Sequence, residues 1–538
     1  MTAATGFRRL GIVLLAVIAL GAGVLGAARY LISPEAVRAE ALNEIRAVTG
    51  LAPTLRGKTT VELFPTGSVS FDDVVLGNAD KPALTARRLT ARLRFFPLLV
   101  GRVEIADMSL VQPTIAINLE PDGRSNWSGL IEALARSQKP NARPGPAFSE
   151  MLIRDGTVVL SDKSRKLNET FDQVTFSLAW PSISKSFGAT GRFVWHDEPL
   201  DVNVTLADFA AALTGSRTGL KLRIAGNPMK AAFEGAISFK PTLKIEGIFA
   251  GDAVSLRDTL TWAGQQPLPG GGFGRFAIKA KADVVCGTIG LSNVNVELDG
   301  NTAEGVLTFA TDGRQTLQGT LAAEALDMTP YVSTIKLLAA NRHEWNNGAI
   351  ALDGLASTDF DLRLSAGKVV LSDATLGRTA IGANLRGGHL VVTIGEAQAY
   401  GGVIKGSLAL ANFDQGVDIK SQLQFTDVDL ESCLGQLFGL HRVEGKGNIA
   451  FSVEGAGDSV LGLTRTLNGN ASLTGQNGAI AGFDVAQLLR RLERRPLSGG
   501  GDFRTGRTPY DTIAVALKIE KGKVSAICQG MQGAVTCH

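Results

Sequence analysis

The sequence has little with which to do covalent chemistry. Four cysteines, Cys286, Cys433, Cys528 and Cys537, are spread over 538 residues. That excludes a disulfide scaffold, and no CxxC pair is present to hold zinc or run thiol exchange. Only Cys528 and Cys537 lie near enough in sequence to bond in an oxidising compartment. The five histidines (His196, His343, His389, His441 and His538) stand singly, without HExxH spacing, and so propose no metal centre. There is no GxSxG elbow and no P-loop. Gly270-Gly271-Gly272 and Gly499-Gly500-Gly501 lack the strand-then-helix setting of a phosphate cradle and read as loops. No catalytic residue, metal or cofactor is expected, and the chain reads as a protein that is not an enzyme.

Charge of one sign is also lacking. Net charge is +3, with acids and bases mixed along the chain, which removes the basic stripe that nucleic-acid binding requires. The densest basic run is Arg490, Arg491, Arg494 and Arg495. It reads either as the solvated face of a short helix or as a contact for anionic lipid headgroups.

What the chain does have is apolar residues, 45 % of the total, and 63 glycines. Leu10 to Ala28 carries no charged or strongly polar side chain. At 1.5 Å per residue it covers roughly 28 Å, the thickness of a bilayer core. Arg8 and Arg9 precede it and Arg29 alone follows it, so the positive-inside bias puts the N-terminus in the cytoplasm and the body outside. A cleaved signal peptide ending at Ala27-Ala28 is the alternative; its apolar region would be shorter. Past the span, Ser33-Pro34-Glu35 opens a juxtamembrane helix that runs to about Thr49, with Gly50 at its end. Mean hydropathy of the whole chain is +0.13, more than one span can supply. The body itself is rich in apolar side chains.

In the body the dominant period is two. Leu89, Ala91, Leu93 and Phe95 alternate with Arg88, Thr90, Arg92 and Arg94, and Ile115, Ile117 and Leu119 repeat the pattern. Val174, Phe176 and Leu178, then Ile449, Phe451 and Val453, then Ile513 to Ile519, carry it onward. Asp122-Gly123, Asp155-Gly156, Asp299-Gly300, Asn346-Asn347-Gly348, Asp353-Gly354 and Asn477-Gly478 read as hairpin turns between strands. Short amphipathic helices are expected at Trp127–Ser137, Asp327–Asn341, Asp429–Leu440 and Asp484–Arg495. Pro- and Gly-rich linkers at Ser137–Phe148 and Gln265–Gly274 divide the chain into 1–32 (cytoplasmic tip and anchor), 33–145, 146–265 and 266–538.

The expected fold is therefore mostly β. A transmembrane helix is followed by a long antiparallel sheet of many strands with a few short amphipathic helices. Two dozen strands at about 4.8 Å each would span over 100 Å, and open sheets of that size curl, split or close. A closed outer-membrane barrel does not suit a chain with an N-terminal span. A curled, open groove is the solution read from the sequence. Its apolar lining would include Leu89, Leu93, Phe95, Ile115, Ile117, Leu119, Val174, Phe176, Leu178, Ile449, Phe451 and Val453.

One stretch is more specific. In "LTARLRFFPLLVGRVEIADMSLVQPTIAINLEPDGRSNW" a strand leads to Pro97-Leu98-Leu99. Gly101-Arg102-Val103, Ile105, Leu110, Pro113, Asp122-Gly123 and Asn126-Trp127 then follow at set spacings. This resembles the N-terminal signature of the AsmA family. "VEGKGNIAFSVEGAGDSVLGLTRTLNGNASLTGQNGAIAGFDVAQLL" resembles its C-terminal region through Gly445, Gly447, Leu467-Asn468-Gly469, Gly478-Ala479-Ile480 and Gly482. Gly101, Pro113, Asp122, Gly123, Asn126 and Trp127 carry a structural role in that motif on this reading, a turn and a Trp that packs a helix on the sheet.

The resemblance implies an inner-membrane-anchored periplasmic protein of the bridge-like lipid-transfer type, serving outer-membrane biogenesis. Phospholipids are then the expected ligand, and outer-membrane or other envelope proteins are possible partners. A scaffold or assembly factor for outer-membrane proteins, working through strand edges, is the alternative. Relatives continue past the equivalent of Ile519-Glu520-Lys521-Gly522 into further strands, so the end of this sequence reads as divergent or truncated.

Overall fold

The computed structural model describes Ala39 and residues 53–527, less 63–66, 79–80, 95–104, 121–123, 138–149, 163–166, 180–185, 332–358, 495–505 and a few single loop positions. The expected span at Leu10–Ala28, the juxtamembrane helix, and Phe95, Gly101, Asp122 and Gly123 lie outside the described residues. No described helix is long and apolar enough to cross a membrane. The chain is mostly β, with 26 strands among the described residues, and its compact units divide between Gly251 and Asp252.

The first unit begins with β1 (Pro53–Leu55) and β2 (Thr59–Glu62), which share one side of β3 (Ser68–Asn78). Then come β4 (Lys81–Leu93), β5 (Ile105–Leu119), helix α1 (Ser128–Ser137), β6 (Glu150–Asp162) and β7 (Leu167–Ala179). β8 (Phe187–Trp195), β9 (Glu198–Leu206), α2 (Phe209–Thr214), β10 (Thr218–Ala225) and β11 (Lys230–Ser238) follow. β12 (Lys244–Ala253) carries the division.

The second unit continues with α3 (Leu256–Trp262), β13 (Phe276–Val285), β14 (Thr288–Leu298), β15 (Asn301–Ala310) and β16 (Thr316–Asp327). Next are β17 (Asp359–Leu371), β18 (Ala374–Leu376), β19 (Thr379–Arg386), β20 (His389–Ala399), β21 (Gly402–Phe413) and β22 (Gly416–Asp429). The last elements are α4 (Leu430–Phe438), β23 (Val443–Gly457), α5 (Val460–Thr466), β24 (Asn468–Ala481), α6 (Val485–Arg494), β25 (Arg507–Glu520) and β26 (Lys523–Ile527).

Among the described residues most strands pair with their neighbour in sequence, as a meander does, except that β1 and β2 both pair with β3 and β17 pairs with β19 as well as β18. The described registers are antiparallel with one exception in each unit. β5 pairs β6 in parallel, and β16 pairs β17 in parallel. This corrects the all-antiparallel expectation. Parallel neighbours need a crossover of a dozen or more residues, and both joints coincide with segments where the sequence breaks its period of two for a helix. α1 lies in the first crossover, and its backbone meets α2, four strands further on. In the second crossover Thr329–Tyr331 is helical and the rest of the expected 327–341 helix lies outside the described residues.

The pairings also correct the curl. Within each unit the run of strands is open and no pairing brings a run back onto its own start among the described residues. About a dozen strands per unit is a size that open twisted sheets tolerate, so curling is not forced by length.

Two of the expected hairpin turns are bulges instead. Asp155 (φ 52°) and Gly156 sit inside β6, and Asn477 (φ 50°) and Gly478 inside β24. A bulge and a tight turn both need a residue in the left-handed region, so the same dipeptides serve both. Asp299-Gly300 is a turn, joining β14 to β15 with φ of 52° and 80°.

In the first unit the bulges align. Asp73, Gln112, Asp155 and Gln173, one on each of β3, β5, β6 and β7, have φ between 47° and 52°. Two of them are tied to each other and to β4: Arg87 Nη1 donates to Gln112 Oε1 at 3.3 Å, and Gln112 Nε2 donates to Asp155 Oδ2 at 3.1 Å. A bulge inserts one residue, which shifts the phase of the alternation. Leu84 and Ala86 on one side of Arg87-Arg88 and Leu89, Ala91 and Leu93 on the other therefore share one face despite their odd spacing. Pro113 is fully buried inside the same irregularity. A proline cannot donate to a ladder, and the break in pairing between Val111 and Thr114 removes that demand. Gly156 lies against it; a Cβ there would come within 2.9 Å of the proline ring.

Candidate functional site

The registers assemble the apolar residues into rows that run across the strands. In the first unit, Phe71, Leu89, Leu110, Ile153, Phe176, Gly191, Val202, Ile224 and Ala231 are successive partners from β3 to β11. In the second, Val294 on β14 lies one residue past a bulge from Gly305, and from there Leu321, Leu364, Ile381, Ile394, Gly406, Leu423, Phe451, Ala471 and Leu517 are partners to β25. Neither row contains a polar side chain.

One residue along, the second unit's row is Thr320, Arg363, Gly382, Thr393, Ser407, Gln422, Ser452, Asn470 and Lys518. Because side chains alternate between faces, each unit has one apolar and one polar face. On the polar faces, register partners carry opposite charges: Asp72 and Arg88 (2.7 Å), Arg192 and Asp201 (2.8 Å), Lys221 and Glu234 (2.7 Å), Lys420 and Glu454 (3.3 Å). The hydrogen bond from Arg192 holds the Asp201 carboxyl below its ordinary range, and Lys221 does the same for Glu234. Such exposed pairs favour register more than stability. Ser407, Gln422, Gln424, Ser452, Asn470 and Ser472 line a shallow trough of about 640 Å³ on the polar side of β21–β25. Leu423, Ala450, Phe451, Ala471, Ala516 and Leu517 also line it, so that it offers both hydrogen bonds and apolar contact.

Cover over the apolar faces is local. Leu89 (7 % exposed) is part of a closed core with Phe71, Val74 and Leu110, against which Leu93, Ile115 and Trp127 pack. Trp127 is fixed there through the carbonyl of Ala116, which accepts from both Trp127 Nε1 and Asn126 Nδ2 at 2.8 Å. Asn118 N–H donates in turn to Asn126 Oδ1 at 3.0 Å. β4 stops pairing with β5 at Ile115, so Asn126 and Trp127 occupy the strand edge that β4 vacates. Ile117 and Leu119 continue past that point half-buried, Val174 is buried, and Phe176 and Leu178 are half-buried.

In the second unit α4 closes one corner. Asp429 caps it, accepting from Ser432 N–H at 2.8 Å, and Leu430, Cys433 and Leu434 pack against Val428, Phe425 and Ile449. Burial, aided by the Asp429 charge, pushes the Cys433 thiol up to about 11. Phe451 packs on the edge of that corner, its ring 6.4 Å from that of Phe425, and Val453 lies further along; both are half-buried. The rows on β8–β11 and β19–β25 were only partly read from sequence: Val202, Val204, Leu222 and Phe233, and Leu423 with Phe425, belong to the same faces. Their period of two was the available signal. Among the described residues no group of three or more His, Cys, Asp or Glu is placed to hold a metal ion.

Among the described residues the strand pairings give each unit one open run of strands, with the apolar row along one face. A search of curated proteins and one of solved structures each found no match. The AsmA family model matches residues 3–224 and 311–528, most of the chain. The chain belongs to the AsmA family, which supports an envelope-related function in general.

Proposed function

We propose that this protein carries or shields phospholipid acyl chains on its apolar sheet faces between the inner and outer membranes, as a contribution to outer-membrane biogenesis. In this reading Leu10–Ala28 holds it in the inner membrane, the body stands in the periplasm as open sheet with an apolar face, and no reaction is catalysed. The observation that supports it is the unbroken apolar row from β14 to β25, half-buried over much of its length. Each CH₂ removed from water is worth about 0.8 kcal/mol, so a face of this length holds chains without any specific polar contact.

The test is photo-crosslinking in cells grown with radiolabelled phosphate. A photoreactive residue at Phe451 or Leu222 is expected to capture labelled phospholipid, while one at Gln422 or Lys221, on the polar faces, captures far less. Equal labelling of the two faces, or none at either, overturns the proposal. A scaffold for outer-membrane proteins is the second reading. It is favoured by β25, whose described pairing with β26 covers only Ala516–Glu520. Protein adducts at Arg507–Val515 in place of lipid adducts would select it.

A further inference from the structure

Toward the turn between β6 and β7, the apolar face of the first unit carries a carboxylate that its packing does not explain. Past the bulges the face continues through Ile115, Val158 and Phe171, and then through Ile117, Leu160 and Glu169, each set being successive partners. On β8, Phe193 and Trp195 keep the alternation of Gly191, the partner of Phe176, so they stand on the same face. Glu169 is thus a charged exception among apolar neighbours.

Aromatic rings gather around it. Trp195 Nε1 donates to Glu169 Oε2 at 2.8 Å, and His196 Nε2 lies 3.4 Å from the same oxygen. The His196 ring stacks on the indole with 4.5 Å between centroids. Phe171 lies 6.2 Å from Trp195 and meets Phe193 edge-on at 5.3 Å. His196 (φ 47°) and Asp197 (φ 64°) form the tight turn from β8 to β9, which fixes where the imidazole stands. Glu198, opposite Trp195 in the register, accepts from Asn227 Nδ2 at 3.5 Å. Among the described residues neither Glu169 nor Glu198 pairs with a Lys or Arg. The Glu169 side chain is only 24 % exposed.

A carboxylate among rings loses hydration that a cation would replace, and the ring faces are themselves negative and attract a cation. From this combination we infer that this end of the face binds the ammonium group of a zwitterionic phospholipid. Glu169 is its counter-ion, and Phe171, Phe193 and Trp195 are its ring contacts. Trp195 and His196 also position the carboxylate, since both approach Oε2. Val158 and Leu160 continue the apolar surface beside the site, so headgroup and acyl chains are held together. A divalent metal ion would call for several oxygen ligands and no rings. The inference rests on the lipid-carrying reading and adds a headgroup class to it: an ammonium-bearing lipid in preference to an anionic one such as phosphatidylglycerol.

The experiment uses the full chain reconstituted in vesicles of equal phosphatidylethanolamine and phosphatidylglycerol, with a photoreactive residue at Leu160 or at Phe451. Mass spectrometry of the adducts gives the ratio of the two lipids at each position. At Leu160 the wild type is expected to favour phosphatidylethanolamine about fivefold over the ratio at Phe451, the factor that about 1 kcal/mol gives. E169Q, which keeps an acceptor for Trp195 Nε1, is expected to bring the two ratios together. F171L should roughly halve the preference. Free ethanolamine at the concentration of the lipid headgroups is expected to leave it in place, because it brings no acyl chain to the face.

Equal ratios at Leu160 and Phe451 in the wild type overturn the headgroup site. So does a preference that survives E169Q while the unfolding midpoint falls, which would make the cluster a structural pin between hairpins. Abolition by free ethanolamine at that concentration overturns a lipid as the source of the ammonium group. Absence of lipid adducts at both positions overturns the carrying reading instead, so the two failures are told apart.

Discussion

The two units use the same row of apolar partners for different ends. In the first, the row opens inside a closed core: Phe71, Leu89 and Leu110 are 4 %, 7 % and 6 % exposed, and Trp127 is hydrogen-bonded down over their neighbours. In the second, the corner under α4 is as closed, with Val428, Leu430 and Cys433 at 0 %, but Leu423 and Phe451 at its edge and Leu517 further along are only half-buried. Chemistry at these positions is the same, so the alternation of a strand says which face is apolar and not whether that face is covered. What separates stability from surface is a helix or a tryptophan supplied by a connection.

The comparison breaks first at its most buried points. Leu430→Ala is expected to destabilise the second unit by about 2–5 kcal/mol, the range for a buried leucine that leaves a cavity. Hydrogen exchange of β22 and β23 on the intact protein measures it, and a cost below that range would show that α4 is a loose cover. In the first unit, Asn126→Ala is expected to cost about 1–3 kcal/mol, because it removes a donor to Ala116 O and the acceptor for Asn118 N–H. Trp127→Phe, which keeps the ring and loses one donor, should cost less. Urea unfolding of the two variants checks the order.

Much of this layout was legible in the sequence. The strand runs around Leu89, Ile115, Phe176, Ile449 and Val515 all lie in strands, and helices expected at Trp127–Ser137, Asp429–Leu440 and Asp484–Arg495 are α1, α4 and α6 to within two residues at each end. The caps were readable because they are local: Asp429 bonds three residues on. The bulges were not, since Asp155-Gly156 and Asn477-Gly478 have turn composition and only the partner strand shows that the chain carries straight on. Nor was the parallel joint at β5 and β6, where direction depends on where the crossover lands. α2 and α3 are too short to display a helical period. Cover was the least legible feature, because the half-exposed Phe451 and the buried Phe425 have the same neighbours in sequence pattern.

Cys433 sharpens the comparison without a change in packing. A folded-state pKa pushed up to about 11, against about 8.5 for a free thiol, keeps it neutral and unreactive at pH 8. Because the shift is upward, its contribution to stability is complete below the free-thiol pKa and is lost as pH climbs toward 11. Alkylation at pH 8, followed at this residue by peptide mass spectrometry, is therefore expected to proceed only as fast as α4 lifts off the sheet. Leu430→Ala should accelerate it. Immediate labelling in the wild type would mean that the corner is open, and the contrast with the half-buried stretch beyond it would disappear.

The smallest expected effect on folding is the most telling for function. Leu517→Ser lies in the same row as Phe451, on a half-buried stretch where the side chain has little cover to lose. Its stability cost should stay within about 1 kcal/mol, well under that of a closed-core leucine. Leu89→Ser, at the closed start of the first unit's row, should cost several times more. If the open stretch serves acyl chains, Leu517→Ser lowers phospholipid capture at Phe451 while leaving the unfolding midpoint nearly in place, and Leu89→Ser does the reverse until the unit unfolds. Parallel losses of capture and stability at both positions would mean that the apolar row is one continuous core, and that its exposed part does no work of its own.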